Sequence, residues 1–169
     1  MKKIIIILVL LLLPMSMFAQ FYIGASAMLK GDPLNPPTIV WYDTNSLLDN
    51  FAFGVDARVN LSIFEIQALA LYNLNQSFNA YLDVGIVLNI AIVSIGAGVG
   101  PNFVVVFNTA APAVDTFGFG FNGKVHADIN LGSFKISVYY MFLMDNLSVA
   151  DLTNNMYAGN AGLSLMFKL

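Results

Sequence analysis

His126 is the single histidine of the sequence, and cysteine is absent. An imidazole is the usual general base and nitrogen ligand near neutral pH, and Asp128 stands two residues further on. With one histidine and no thiol, neither a multi-histidine nor a thiolate metal site can be assembled. Asp83 and Asp128 fall in different segments, each with basic neighbours, so they do not read as paired carboxylates for hydrolysis. The residue types therefore point to no catalytic centre, no metal site and no cofactor. The expectation is a protein that is not an enzyme.

Charge pairing gives a more specific signal. Val59-Asn60-Leu61-Ser62-Ile63-Phe64-Glu65-Ile66 resembles Ile129-Asn130-Leu131-Gly132-Ser133-Phe134-Lys135-Ile136, and Leu88-Asn89-Ile90-Ala91-Ile92-Val93-Ser94-Ile95 is a looser third copy. Each copy reads as a tight turn, centred on Leu61-Ser62, Leu131-Gly132 and Ile90-Ala91. Two-residue loops at those centres set Arg58 directly across from Glu65 and Asp128 directly across from Lys135. The same two positions thus carry opposite charges with the signs exchanged, and both pairs are expected as cross-strand ion pairs.

The elements that must position these residues are strands, because the sequence alternates with a period of two. Phe117, Phe119, Phe121, Val125, Ala127, Ile129 and Leu131 fall on one face. Gly118, Gly120, Asn122, Lys124, His126, Asp128 and Asn130 fall on the other. The same split recurs in Phe51 to Leu61 and Phe78 to Asn89. Eight strands follow, at about 21–30, 51–60, 63–73, 78–89, 92–107, 116–130, 133–144 and 155–169. Three connections are tight, and the other four, 31–50, 74–77, 108–115 and 145–154, are longer. Val84 to Phe107 carries no charge and would satisfy a hydropathy search for a membrane helix. Its proline, β-branched residues and internal turn at Asn89 favour two strands.

Before the strands, Lys2 and Lys3, the apolar run Ile4 to Leu13, Pro14 and the small Ala19 have the three-part layout of a secretory signal peptide. Residues 1–19 are expected to be removed through the Sec route, leaving 20–169 as one domain. The mature part suits lipid better than water. Only 10% of the 169 residues are charged and 58% are hydrophobic, against about 25% charged in soluble domains. The net charge of −3, with no stretch that resembles a basic patch, argues against nucleic acid as a partner.

On the apolar face, Phe51, Phe53, Phe78, Phe103, Phe107, Phe117, Phe119, Tyr140, Phe142 and Tyr157 gather towards the long loops. Phe21, Phe64, Phe134 and Phe167 gather at the tight turns. Two aromatic girdles around an aliphatic band describe the lipid-facing wall of a transmembrane barrel. With its alternating strands and unequal connections, the chain resembles the small OmpA/OmpX-type eight-stranded outer-membrane barrels. Its last strand, Leu163 to Leu169, resembles the C-terminal signal read by the barrel-assembly machinery, although the aromatic stands two residues before the end.

That resemblance implies an all-β, antiparallel up-and-down barrel in the bacterial outer membrane, with lipid and the assembly machinery as partners. The inward residues divide into a charged turn-side half and a loop-side half holding Met28, Leu69, Leu71, Val104, Met141 and Leu143, with glycines at 96, 98, 100, 118 and 120 on adjacent strands. The loop-side half is either a packed plug or a small apolar pocket. Two functions remain open: a structural or surface-interaction (adhesion-like) barrel, and a binder or narrow conduit for small hydrophobic molecules resembling the OmpW type. Trp41 and Tyr42, beside Ile39 and Val40, could form a lid or a contact patch for a host surface. Asp32, Asp43, Asp49, Asp115, Asp145 and Asp151 are either solvated or a means of bridging to lipid through divalent cations.

Overall fold

In the computed structural model, the described residues are 19–29, 51–73, 77–107, 116–144 and 159–169. They form eight strands: β1 (Ala19–Leu29), β2 (Phe51–Leu61), β3 (Phe64–Asn73), β4 (Ser77–Ile90), β5 (Val93–Val106), β6 (Thr116–Leu131), β7 (Phe134–Met144) and β8 (Gly159–Lys168). Each strand pairs antiparallel with its sequence neighbours, and β8 returns to β1, closing the barrel. Closure leaves no unpaired edge, which a sheet in hydrocarbon requires. The strands are 10 to 16 residues long, enough for a tilted crossing of roughly 9–11 residues.

Alternation decides which side chain faces which solvent. Val55, Leu82, Val84, Ile86, Ile95, Val125, Val138 and Leu163 are exposed on the outside, while Asp56, Asp83, Lys124 and Tyr139 from the same strands are buried in the lumen. An apolar wall with a polar filling is the arrangement that lipid selects. Rings close the wall at both ends. Phe134 and Phe167 meet at 4.7 Å between centroids at the turn end. Phe103 lies 5.2 Å from Phe119 and 6.1 Å from Phe117 at the loop end. Phe142, expected in the loop-side girdle, lies on the outer wall beside Val99 and Val125, and is buried there because its ring packs over Gly123, where a Cβ would collide with it.

The three related turns are two-residue hairpin loops, but each begins one residue later than the sequence suggests. The loops are Ser62-Ile63, Ala91-Ile92 and Gly132-Ser133. Their first residues have φ of 63°, 54° and 71°, and their second residues are not in the positive region. That φ pattern is the one of type II′ turns, whose twist suits flanking strands. Leu61 consequently stays in β2, opposite Phe64, and the whole register moves with it.

Candidate functional site

The lumen is built in layers. At the turn-side rim, each copy of the repeat contributes its asparagine. Ser94 donates to Asn89 at 2.6 Å, and Asn130 donates to Ser94 at 2.7 Å. With its amide turned to satisfy both ends, Asn60 donates to Glu65 Oε2 at 3.0 Å and accepts from Lys135 Nζ at 3.2 Å.

Above this rim lies a network of buried charges. Arg58, fully buried, donates to both oxygens of Asp56, the shortest bond being 2.8 Å from Nη2. It also reaches Asp128 Oδ1 at 3.2 Å and Ser137 Oγ at 2.8 Å. Asp56 accepts further bonds from Gln67 at 2.6 Å and Ser164 at 2.7 Å. Lys135 pairs with Asp128 Oδ2 at 3.2 Å and lies 4.0 Å over the Tyr22 ring. Lys124 approaches Asp83 at 3.6 Å, and Asn122 donates to the same carboxylate at 2.5 Å.

The expected pairing of Arg58 with Glu65 is therefore wrong in its geometry. Their actual opposites are Gln67 for Arg58 and Asn60 for Glu65. Likewise Asp128 faces Ser137, and Lys135 faces Asn130. Asp128 and Lys135 still form an ion pair, reached on a diagonal, whereas Arg58 turns to Asp56 and Asp128. The cause is the turn: moving a two-residue loop along by one residue changes every cross-strand partner by two. Such a shift keeps each side chain on its own face, so alternation cannot detect it.

His126 is buried beside Glu65 and Asp128, with Nε2 at 3.6 Å and 3.7 Å from their nearest oxygens. Its ring lies on Gly96, its cross-strand partner, where a Cβ would collide with the imidazole. Gly96 thus belongs to the charged half rather than to the loop-side half where the sequence reading set it. Sequence reasoning missed this role because a glycine signals space without saying which ring fills it.

Ser26, Tyr139 and Ser164 cap the network, with Tyr139 Oη 2.8 Å from Ser26 Oγ and Ser164 donating to Ser26 at 3.0 Å. Tyr139 lies across from Gly162, which leaves room for its ring. Above it, Met28, Ala52, Leu69, Leu71, Tyr81, Tyr139 and Met141 form a buried cluster across the lumen. Leu69, Leu71 and Met141, expected in a pocket or a plug, are the plug. Met28 spans both regions.

A cavity of about 400 Å³ opens above this cluster, lined by Met28, Ser77, Asn79, Tyr81, Val104, Val106, Leu143 and Asn160. Leu143 lines it and is itself 42% exposed. The lining is amphipathic rather than apolar, since Ser77 and two amides stand among the aliphatic side chains. Trp41, Tyr42 and the six loop aspartates lie outside the described residues.

No family model matches the chain, and no curated protein matches it. Among solved structures, the N-terminal β-barrel domain of Pseudomonas aeruginosa OprF superposes with a TM-score of 0.63 at 10% identity, over 89% of this chain and 97% of that one. Neisserial surface protein A matches over the same shares, with 12% identity and a TM-score of 0.47. At 10% identity the likeness to OprF is one of fold. The chain has the architecture of the small eight-stranded outer-membrane barrels.

Proposed function

We propose that this protein is an integral barrel of the bacterial outer membrane with a structural or surface-interaction role, without catalysis and without an open pore. The observation that carries this reading is the filled lumen. A buried ionic network and a buried apolar cluster succeed one another along the axis, as in narrow barrels whose interior side chains fill the bore. The apolar outer wall and its aromatic ends support insertion in lipid. The contrast of two-residue turns with long connections supports an orientation with the long loops outward, where an adhesion-like contact would be made. Export by the Sec route and insertion by the barrel-assembly machinery belong to the same reading.

Refolding into a planar bilayer tests it. The expected outcome is heat-modifiable gel migration, diagnostic of a folded barrel, together with no conductance steps. A stable open level would overturn the closed-lumen reading.

The cavity supports a second reading, a dead-end binding site for a small amphipathic molecule. The buried cluster beneath it speaks against a conduit through the barrel. An apolar fluorescent probe added to the folded protein should brighten and be displaced by Met28→Trp, which fills the cavity. No change on Met28→Trp would sink this reading while leaving the first intact.

A further inference from the structure

We infer that Glu65, His126 and Asp128 form a binding site for a first-row divalent transition metal ion, one layer inside the turn-side mouth of the barrel. Each of the three offers one ligand atom, and these atoms lie within 4.8 Å of one another. They come from two strands, β3 and β6, that are not neighbours in the sheet, so only closure of the barrel brings them together.

Distance separates this reading from a plain ion pair. His126 Nε2 stands 3.6 Å from Glu65 Oε1 and 3.7 Å from Asp128 Oδ2. A charge-assisted N–H···O bond closes to about 2.7–2.9 Å, and neither separation reaches it. Donors around a tetrahedral ion, each at about 2.1 Å, sit about 3.4 Å apart. The two nitrogen–oxygen separations are close to that edge.

Two further observations point the same way. The imidazole side chain is 1% exposed, yet neither Nδ1 nor Nε2 has a hydrogen-bond partner among the described residues. A buried polar nitrogen in that state is costly unless something completes it. Among the described residues the buried lumen is also short of formal positive charge. Asp56, Glu65, Asp83 and Asp128 are buried against three basic side chains, Arg58, Lys124 and Lys135, so a cation among the carboxylates answers a real deficit.

The surroundings can accommodate an ion. Arg58 occupies Asp128 Oδ1 and leaves Oδ2 to face the imidazole. Lys135 competes for that oxygen at 3.2 Å. It has an alternative berth already in contact, the Asn60 carbonyl oxygen and the Tyr22 ring. One nitrogen and two carboxylate oxygens form a borderline-to-hard donor set suited to zinc, cobalt or manganese. Glu65 is the first inward residue of β3 after the turn, so an ion arriving from the turn side has one layer to pass.

The test titrates Co²⁺ into the full barrel folded in lipid nanodiscs. The expected result is one equivalent per barrel with visible d–d bands, abolished by Zn²⁺. His126→Gln and Glu65→Gln should each weaken binding at least tenfold, whereas Lys135→Met, which removes the competitor, should tighten it. Folding of every variant is read from heat-modifiable migration. If His126→Gln does not fold, Glu65→Gln and the gain in Lys135→Met decide. Absence of d–d bands overturns the proposal. So does binding that persists in the folded His126→Gln and Glu65→Gln variants, because loop aspartates or lipid headgroups would then be holding the ion.

Discussion

The two halves of the lumen solve the same packing problem with opposite chemistry. The turn-side half fills the bore with Arg58, Asp56, Asp128, Lys135, Lys124 and Asp83, all buried and linked by Arg58 hydrogen bonds and by close ion pairs. The loop-side half fills it with Met28, Leu69, Leu71, Met141 and tyrosine rings, which need volume and no particular partner. A charge in the first half depends on several others, so removing one strands the rest. A methylene in the second half depends only on contact. The ionic half is therefore brittle and specific, and the apolar half is tolerant. It is the apolar half that has a cavity above it.

The largest effect expected from breaking this contrast is that of Arg58→Ala. It leaves Asp56 and Asp128 without their main cationic partner, at a cost of about 3–5 kcal/mol, read as a lower urea midpoint for unfolding from lipid vesicles. Leu71→Ala in the apolar half should cost about 2–4 kcal/mol through the cavity it leaves, and Leu71→Met should restore most of that. If Leu71→Ala cost as much as Arg58→Ala and Leu71→Met failed to rescue it, the idea of a tolerant half would be wrong.

Double-mutant cycles sharpen the comparison within the ionic half. Asp128 with Lys135 should show a coupling of about 1–3 kcal/mol, whereas Arg58 with Glu65, which make no direct bond, should couple distinctly less. Exchanging the charges of Arg58 and Glu65 should then fail to restore stability, the reverse of what the sequence alone suggests. The smallest effects belong to the turns. Gly132→Ala should cost about 1 kcal/mol, and Ser62→Gly or Ala91→Gly should be neutral or gain a few tenths, because all three positions hold a positive φ. Equal responses at the three turns would mean that their shared geometry does not matter to stability.

Much of this barrel is legible without coordinates. Alternation assigned Asp56, Arg58, Lys124, His126 and Asp128 to the inside and Val55, Val125 and Ile129 to the outside, because side-chain direction in a strand is a local property of the backbone. Strand limits fall within two residues of those observed wherever both are described; the expected start of β8 near 155 lies outside the described residues, which resume at Gly159. The repeat located all three turns to within one residue.

What the sequence could not decide is who meets whom. A shift of two residues in register preserves every face, so the turn centre read from the repeat set Arg58 against Glu65, whereas the observed turn leaves it to Asp56 and Asp128. The meeting of Glu65 with His126 across the bore, the seating of the imidazole on Gly96 and the amphipathic lining of the cavity are likewise products of closure. They join strands far apart in the chain, and their distances are fixed only when β8 pairs with β1. The sequence by itself determined the class of structure, the two faces and the place of the turns, all of which follow from local periodicity and transfer into lipid. The tertiary structure decided the partners, because partnership depends on register and curvature, which no single strand contains.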